Sequence, residues 1–312
     1  HLEQHGHAFT SDTDTEVLAK LIGQIHSDGE KTLEQAVRAA LREVTGAYAI
    51  AVVCADEPNT LVVARKGSPL LIGLGNQHFV AASDATAIVS HTTQVIALDD
   101  YQMARLTVNG NGPEIRTSTI DNVTVTPDVY ELECDLQQIE LRGYDHFMLK
   151  EIMEQPHALT DALRGRIDRR EGRVVLGGLA NHSRDLVRAR RVILTGQGTA
   201  FHACMIGEYL LEELAKIPAE TEYASEFRYR NPIIEDGTVV IAVSQSGETA
   251  DTLAGLREAK ERGALGLGVV NAVGSTIARE TDAGVYLHVG PEIGVASTKA
   301  FLGQVTVLAL IA

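Results

Sequence analysis

The sequence predicts two domains of different fold class: an α+β domain with an antiparallel sheet, followed by an α/β domain with a doubly wound parallel sheet. The first prediction rests on short apolar segments that follow one another directly, separated by turn residues such as those at 109–112. The second rests on apolar strands that alternate with helical segments from residue 191 onward. A chain of 312 residues is long enough for two such domains, each with its own core.

The first domain is predicted to begin with two helices. Asp14 opens the first helix, and the second covers residues 33–44, where apolar side chains recur at helical spacing. Six short strands follow, at residues 47–54, 61–66, 70–74, 78–82, 95–98 and 103–108. Residues 113–145 show weak periodicity and contain several acidic side chains, so we predict a connector there.

The second domain is predicted from strands that each run into a turn and a helix. A helix over residues 147–167, with Pro156 inside it, precedes this pattern. The strands are predicted at residues 192–194, 239–243, 265–271 and 284–289. In a parallel sheet of this kind, ligands bind at the carboxyl ends of the strands. We therefore expect the turns at that edge to form a binding site.

The turn after the second of these strands is the strongest sign of a binding site. It reads Ser-Gln-Ser-Gly-Glu-Thr over residues 244–249 and leads into a helix. Backbone N–H groups at a helix N-terminus, together with short hydroxyl side chains, can bind an anion without any lysine. A single serine there would indicate only a helix cap, but this turn offers three hydroxyls and an amide. It lacks the Gly-Lys-Ser/Thr ending of a nucleotide-binding loop, so we predict a sugar phosphate as the ligand.

Two other turns at the same edge carry similar residues. Gly198 and Thr199 follow the first strand, and residues 295–299 follow the last. Either turn, taken alone, is also typical of a tight connection or a helix cap. We interpret Lys299 as a surface charge rather than as a Schiff-base amine.

The composition excludes several classes of function. Hydrophobic residues make up 45% and charged residues 22% of the chain, as in ordinary globular domains. A net charge of −15 with no basic stripe argues against a nucleic-acid partner, and no apolar segment is long enough for a membrane span. Neither the 11 histidines nor the three cysteines show metal-ligand spacing, so we expect no metal and no cofactor. We interpret Cys54 and Cys204 as buried free thiols in a reducing cytoplasm, and Cys134 as part of the connector.

Six segments carry longer and more specific motifs, at residues 11–16, 65–70, 150–156, 224–230, 244–252 and 292–301. Together they resemble the glutamine–fructose-6-phosphate aminotransferases, or glucosamine-6-phosphate synthases, over nearly the whole chain. The resemblance implies a glutaminase domain of the N-terminal-nucleophile type joined to two sugar-isomerase (SIS) domains. We accordingly assign residues 1–134 to the C-terminal part of the glutaminase domain, 135–182 to a connector and helix, and 183–312 to the first SIS domain.

The resemblance also implies a reaction and its partners. Ammonia released from glutamine is added to fructose 6-phosphate, which opens, forms a Schiff base with a lysine and is isomerised to glucosamine 6-phosphate. This is the entry step to amino-sugar nucleotides. The resemblance further implies a cytoplasmic homodimer formed through the isomerase domains.

Site residues follow from the positions that match the family. Asp14 would hold the α-amino group of glutamine, although the residues by themselves indicate only an acidic helix start. The sugar phosphate would be bound by Ser244, Gln245, Ser246, Thr249, Gly198, Thr199, Val295 and Ser297. Gln197 and Ala200 stand where the family often has Cys and Ser. The missing serine hydroxyl is expected to weaken binding by about one neutral hydrogen bond, ~0.5–1.5 kcal/mol.

The catalytic groups are expected outside this chain, both ends of which look cut. The nucleophilic cysteine, the oxyanion-hole residues and the Schiff-base lysine of the family have no counterpart here, so we expect the fragment to be inactive alone. Two alternatives stay open, namely another SIS-domain isomerase or deglycase, and a non-catalytic sugar-phosphate sensor. The first domain, with Asp14, argues against the former, whereas Gln197 and Ala200 slightly favour the latter.

Overall fold

The computed structural model describes residues 2–27, 31–110, 112–132 and 141–312. The chain divides into two compact units, His1–Leu132 and Glu133–Ala312. The domain boundary predicted at residue 134 lies outside the described residues, and so does Cys134.

Within its described residues, the first unit contains two α-helices and two four-stranded antiparallel sheets. The helices are α1 (Asp14–Ser27) and α2 (Leu33–Leu41). The strands are β1 (Tyr48–Val53), β2 (Thr60–Lys66), β3 (Leu71–Leu74), β4 (Phe79–Ala82), β5 (Gln94–Ala97), β6 (Gln102–Asn109), β7 (Gly112–Thr119) and β8 (Val129–Glu131). One sheet has the strand order β1-β2-β6-β7, and the other has the order β4-β3-β5-β8.

The first unit is layered because strand β2 is apolar on both faces. Val62 and Ala64 belong to the core beneath the two helices, whereas Val63 belongs to the core that the two sheets share. Helix α2 begins with a reciprocal cap, in which Thr32 Oγ1 accepts from the Gln35 N–H and the Gln35 side chain accepts from the Thr32 N–H. The predicted α+β class with antiparallel pairing is confirmed.

The connector predicted at residues 113–145 is wrong in its first part, because β7 and β8 lie there. β7 pairs with β6 over the whole length of both strands, and β8 pairs with β5. Both are edge strands, and most of their side chains are exposed or half-buried. An edge strand that buries so few side chains lacks the apolar alternation by which strands are recognised in a sequence.

The second unit has a central parallel sheet of five strands. The helices of its described residues are α3 (Phe147–Leu163), α4 (Ser183–Val187), α5 (Thr199–Leu210), α6 (Ala224–Tyr229), α7 (Ala250–Glu261), α8 (Thr276–Glu280) and α9 (Lys299–Ile311). A short hairpin, β9 (Ile167–Asp168) and β10 (Arg173–Val174), precedes the sheet strands. Those strands are β11 (Arg191–Gly196), β12 (Ala219–Tyr223), β13 (Thr238–Ser244), β14 (Leu265–Val270) and β15 (Ala283–Tyr286). Among the helices that the structure describes, none combines the length and apolarity needed to cross a membrane.

The order of the sheet, β12-β11-β13-β14-β15, shows where a ligand can bind. From β11 the chain first goes to β12 on one side and then crosses to β13 on the other. Helices α3, α5 and α9 cover one face of the sheet, and α6, α7 and α8 cover the other. The reversal leaves a crevice between the carboxyl ends of β11 and β13, which is the usual ligand position in such sheets. The predicted doubly wound α/β fold is confirmed.

Two details of the second unit differ from the sequence analysis. Strand β12 is not predicted, because it lies at the sheet edge and reads Ala-Glu-Thr-Glu-Tyr, with polar side chains through most of its length. Helix α3 contains Pro156, as expected, but ends at Leu163 rather than at residue 167. Arg164 is extended there and Gly165 takes a φ of 71°, a conformation that ends a helix.

Cys204 allows a direct test of the packing in the second unit. Its thiol is fully buried in α5, and this burial raises the pKa of Cys204 well above the usual range. Because the thiolate is the reactive form, we expect Cys204 to resist alkylation by iodoacetamide at about pH 8 in the folded protein. Cys54, which is only partly buried, is expected to react. Peptide mass spectrometry measures both, and equal modification of the two before unfolding would contradict the packing.

Candidate functional site

A cleft of about 150 Å³ opens at the carboxyl ends of β11 and β13. It is formed by the turn after each strand, by the start of the helix that follows, and by one residue of α9. Its lining residues are Gln197, Thr199, Ala200, Val243, Ser244, Gln245, Ser246, Thr249 and Gln304. Five predicted site residues therefore meet at the switch point of the sheet, and Gly198 belongs to the same turn as Thr199.

Hydrogen bonds within the turn after β13 hold it in shape. The buried Ser244 hydroxyl accepts from the Gly247 N–H at 3.0 Å and lies 3.0 Å from the Thr249 hydroxyl. Ser246 Oγ accepts from the Glu248 N–H at 3.1 Å. Gly247 has a φ of 65°, which favours glycine. The turn is therefore preorganised before any ligand binds.

The same turn is tied to the turn after β14. The Gln245 carbonyl accepts two backbone N–H groups of that turn, each at 3.2 Å, and the Gly247 carbonyl accepts from the Ile277 N–H at 2.9 Å. The Glu248 carboxylate accepts from the Thr276 N–H and hydroxyl, each at 2.7 Å. This carboxylate caps the start of helix α8, where the two hydrogen bonds stabilise its negative charge. Glu248 is not among the residues that line the cleft.

The electrostatic field of the cleft favours an anion. Helix α5 begins at Thr199, after Gly198, which has no side chain to cap it, and α7 begins at Ala250, after Thr249, whose side chain makes no cap hydrogen bond. Unpaired N–H groups and the helix dipole place partial positive charge at both starts. Asp251, in the first turn of α7, lies 3.4 Å from Arg228 and 3.4 Å from Gln197 Nε2. The arginine partly offsets its charge.

Sequence reasoning did not assign four of the lining residues to the site, namely Gln197, Ala200, Val243 and Gln304 of α9. For Gln304 the available signal was an uncharged polar side chain inside a mostly apolar helix, at a position that proves to be buried. The two departures from the family, Gln197 and Ala200, also line the cleft. Ala200 offers a methyl group where a serine would offer a hydroxyl.

The turn after β15 does not contribute to the cleft lining. Val295 is fully exposed, and the Ser297 hydroxyl donates to Glu292 Oε2 at 2.7 Å. The Glu292 carboxylate also accepts from the Thr298 N–H at 2.7 Å, and Glu151 of α3 accepts two N–H groups of the same turn, at 2.6 and 3.1 Å. The binding roles of Val295 and Ser297 therefore stay predictions.

Lys299 is not the surface charge that the sequence analysis predicts. Its side chain is 3% exposed, and Nζ lies 2.8 Å from the Glu154 carboxylate of α3. Lys150, equally buried, lies 3.6 Å from the other oxygen of that carboxylate. Buried charges need such a partner, because an unpaired charge in the interior is strongly unfavourable. The Lys299–Glu154 pair joins α9 to α3, whereas the Lys150–Glu154 pair lies within α3.

In the first unit, Asp14 stands at the start of α1 and is exposed. The capping role that the residues suggest belongs instead to Glu16, which accepts from the Thr10 and Ser11 N–H groups at 2.7–3.0 Å. Hydrogen bonds from Lys20, from the Ser11 hydroxyl and from Thr10 hold the pKa of Glu16 well below its usual range. Among the described residues the Asp14 carboxylate has no hydrogen-bond partner, so it is available to a ligand.

One group of side chains in the first unit could hold a metal ion. Single ligand atoms of His26, Cys54 and Asp56 lie within 4.8 Å of one another, and His26 Nε2 is 3.9 Å from Asp56 Oδ2. Imidazole, thiolate and carboxylate are the ligands of Zn²⁺ sites. The Asp56 side chain is 84% exposed, however, and exposed acidic groups are common without an ion. The sequence analysis misses this group because 28 residues separate His26 from Cys54.

Comparisons with known proteins match both units. The model of the glutamine amidotransferase domain family matches residues 1–90, and that of the SIS domain family matches residues 185–312. A solved structure, the C-terminal domain of glucosamine-fructose-6-phosphate aminotransferase from Francisella tularensis, is similar with a TM-score of 0.52 and 37% identity. The similarity covers 55% of this chain and 47% of that one.

Relatives of known name are similar along the whole chain. A glutamine–fructose-6-phosphate aminotransferase (isomerizing) of Chlorobaculum tepidum is 55% identical, over 98% of this chain and 50% of the relative. One of Bacteroides thetaiotaomicron is 50% identical, over 100% of this chain and 50% of the relative. The chain therefore spans about half the length of these relatives. With its amidotransferase region, its SIS domain and these relatives, the chain belongs to the glutamine–fructose-6-phosphate aminotransferase family.

Proposed function

We propose that the cleft between β11 and β13 binds the phosphate group of fructose 6-phosphate. The observation that carries this proposal is the convergence of the two turns. The hydroxyls of Ser244, Ser246 and Thr249, the amide of Gln245 and the start of α5 at Thr199 line one cleft. None of these groups carries a charge, and the two helix starts supply the positive potential that an anion needs.

The turn after β13 is suited to bind without taking part in the chemistry. Ser244 is occupied in bracing the turn, through Gly247 and Thr249. Short hydroxyl donors on a rigid backbone give a phosphate several hydrogen bonds at little cost in side-chain entropy. Because the phosphate and the reacting carbon are joined by the sugar chain, a turn that holds the phosphate also fixes where the reacting end of the sugar lies. The reacting groups themselves belong to other parts of the enzyme in this proposal.

The remaining proposed sugar contacts lie in the turn after β11 and in the turn after β15. Gly198 has a φ of 56° and a ψ of −129°, so its backbone can approach a ligand closely where a side chain would be strained. Val295 is exposed, and Ser297 is bonded to Glu292. We propose that these two reach the sugar hydroxyls only in the ligand-bound protein. In the first unit, we propose that the exposed Asp14 carboxylate holds the α-amino group of glutamine.

For the whole protein we propose glutamine-dependent conversion of fructose 6-phosphate to glucosamine 6-phosphate. The names of the relatives support this reaction and its two substrates. We also propose a homodimer formed through the isomerase domains. A cytoplasmic location is proposed because Cys54 and Cys204 are free thiols, as expected in a reducing compartment.

The proposed function is tested with protein expressed from the complete reading frame. We expect ammonia release from glutamine and, with fructose 6-phosphate added, formation of glucosamine 6-phosphate, which is measured by mass spectrometry. Asp14→Asn is expected to raise the KM for glutamine by about 10-fold or more, because the ion pair between the carboxylate and the α-ammonium group is replaced by a hydrogen bond to an uncharged amide. Supplying ammonia in place of glutamine should bypass that defect. Binding of fructose 6-phosphate with neither product would favour a sugar-phosphate sensor instead.

A further inference from the structure

Gln304 is a buried polar side chain in a mostly apolar helix beside the cleft. It lies in the middle of α9 and is 1% exposed. Its side-chain oxygen is buried, and among the described residues it has no hydrogen-bond partner. The side chain also lines the cleft between β11 and β13. Buried amides in folded proteins are nearly always paired, so an unpaired one at a cleft needs an explanation.

The packing of α9 prevents Gln304 from turning to another partner. Gly303, the preceding residue, lies so close to the segment after β15 that an added Cβ would stand 2.6 Å from Val289 Cγ1. Val307 and Leu308 are fully buried one turn later, and Lys299 is held by its ion pair at the start of the helix. Rotation of α9 that carried Gln304 toward solvent would break these contacts. The amide is therefore held at the cleft.

At Ala200 of α5 the wall of the cleft offers no side-chain hydrogen bond to a ligand, so the Gln304 amide is a polar group that a sugar could use in the cleft. Ala200, the second residue of that helix, lines the cleft with a methyl group and can make no hydrogen bond. The hydroxyls of the turn after β13 are donors suited to a phosphate. The phosphate group of a sugar phosphate is mostly a dianion without a proton at neutral pH, so it cannot donate to the Gln304 oxygen. A sugar hydroxyl can donate to that oxygen.

We propose that Gln304 is a substrate-binding residue that accepts a hydrogen bond from a hydroxyl of the phosphorylated sugar in the cleft. This inference rests on the proposed function of the cleft and adds a residue to it. Gln304 thereby separates a sugar phosphate from a simple phosphate ester such as methyl phosphate, because only the sugar phosphate carries a hydroxyl. The buried oxygen is left unpaired in the free protein and becomes paired when the sugar phosphate binds.

The test compares Gln304→Met with wild type in the full-length protein. Methionine has nearly the same length and shape but no amide. We expect fructose 6-phosphate to bind about 10-fold more weakly by calorimetry, with little change in the binding of methyl phosphate, whose dianion has no hydroxyl. Because the variant removes a buried unpaired polar group, its thermal unfolding midpoint should equal or exceed that of wild type. A residue that served only the fold would show the opposite change in stability.

A matched control lies two residues away. The Thr306 hydroxyl donates to the Leu302 carbonyl within α9 at 2.8 Å and is not part of the cleft lining. Thr306→Val should leave both affinities unchanged. If wild type and Gln304→Met bound fructose 6-phosphate equally well, the role of Gln304 would be overturned while the proposed function of the cleft would stand. The same conclusion would follow if Gln304→Met weakened the binding of the sugar phosphate and of methyl phosphate equally. If the wild-type protein bound no fructose 6-phosphate, both the proposed function of the cleft and the role of Gln304 would be contradicted.

Discussion

Replacing Ser246 and Thr249 together by alanine is expected to raise the fructose 6-phosphate KM of the full-length protein about 100-fold. Both hydroxyls line the cleft. A hydrogen bond to a charged group contributes about 1.5–3 kcal/mol, so two of them account for a factor of this size or more. Glutaminase activity measured without sugar should change little, because the proposed glutamine contact, Asp14, belongs to the other unit. Steady-state kinetics with each substrate varied in turn measures both effects.

The control for this double variant removes two hydroxyls of the second unit that lie outside the cleft. Thr160 donates to the Pro156 carbonyl at 2.9 Å, and Ser183 donates to the Ala180 carbonyl at 2.7 Å. The variant Thr160→Ala with Ser183→Ala should keep the wild-type KM. Unchanged sugar kinetics in Ser246→Ala with Thr249→Ala would remove the phosphate from this turn.

Gly247→Ala is expected to destabilise the second unit by about 2–4 kcal/mol and to abolish sugar-phosphate binding. Gly247 has a φ of 65°, and an added Cβ would stand 2.0 Å from Ser275 Oγ. Part of the loss is the backbone strain of alanine at positive φ, about 1 kcal/mol. The rest comes from displacing Ser275, which precedes α8, and with it the turn that carries the cleft hydroxyls. Denaturant unfolding measures the stability, and calorimetry measures binding.

Gly263→Ala separates the strain from the steric clash. Gly263 follows α7 with a φ of 92°, and an added Cβ would meet no atom within 4 Å. We expect this variant to lose only about 1 kcal/mol and to keep sugar-phosphate affinity. Equal losses in the two variants would mean that Ser275 moves aside freely, and that the turn after β13 is not tied to its neighbour.

The central strands of the parallel sheet were predictable because a strand that is buried on both faces appears in the sequence as a continuous apolar segment. All seven residues of β13 are buried, and the polar turn begins where the strand ends. Three of the edge strands, β7, β8 and β12, lack such an apolar segment, whereas the edge strands β1, β4 and β15 are apolar enough to be predicted. β7, β8 and β12 have one paired neighbour each and carry many polar side chains, so their pattern resembles that of a loop.

The site was predictable to the extent that it is local. Ser244, Gln245, Ser246 and Thr249 are neighbours in sequence, and a hydroxyl-rich turn at a helix start has an anion-binding character that needs no other segment. Gln304 and Lys299 could not be placed in this way. Their environments are made by β13, α3 and α5, which are far away along the chain.

The sequence by itself determined the two fold classes and the family, and it predicted the edge of the parallel sheet and the turn that we propose bind a phosphorylated ligand. Each of these depends on local patterns of burial, backbone conformation or motif. Only the tertiary structure decided that the turns after β11 and β13 share one cleft while the turn after β15 does not line it. It also placed the Gln304 amide at that cleft and buried Lys299 against Glu154. The physical reason is that strand order and helix packing bring distant segments together, and no local pattern records which segments become neighbours.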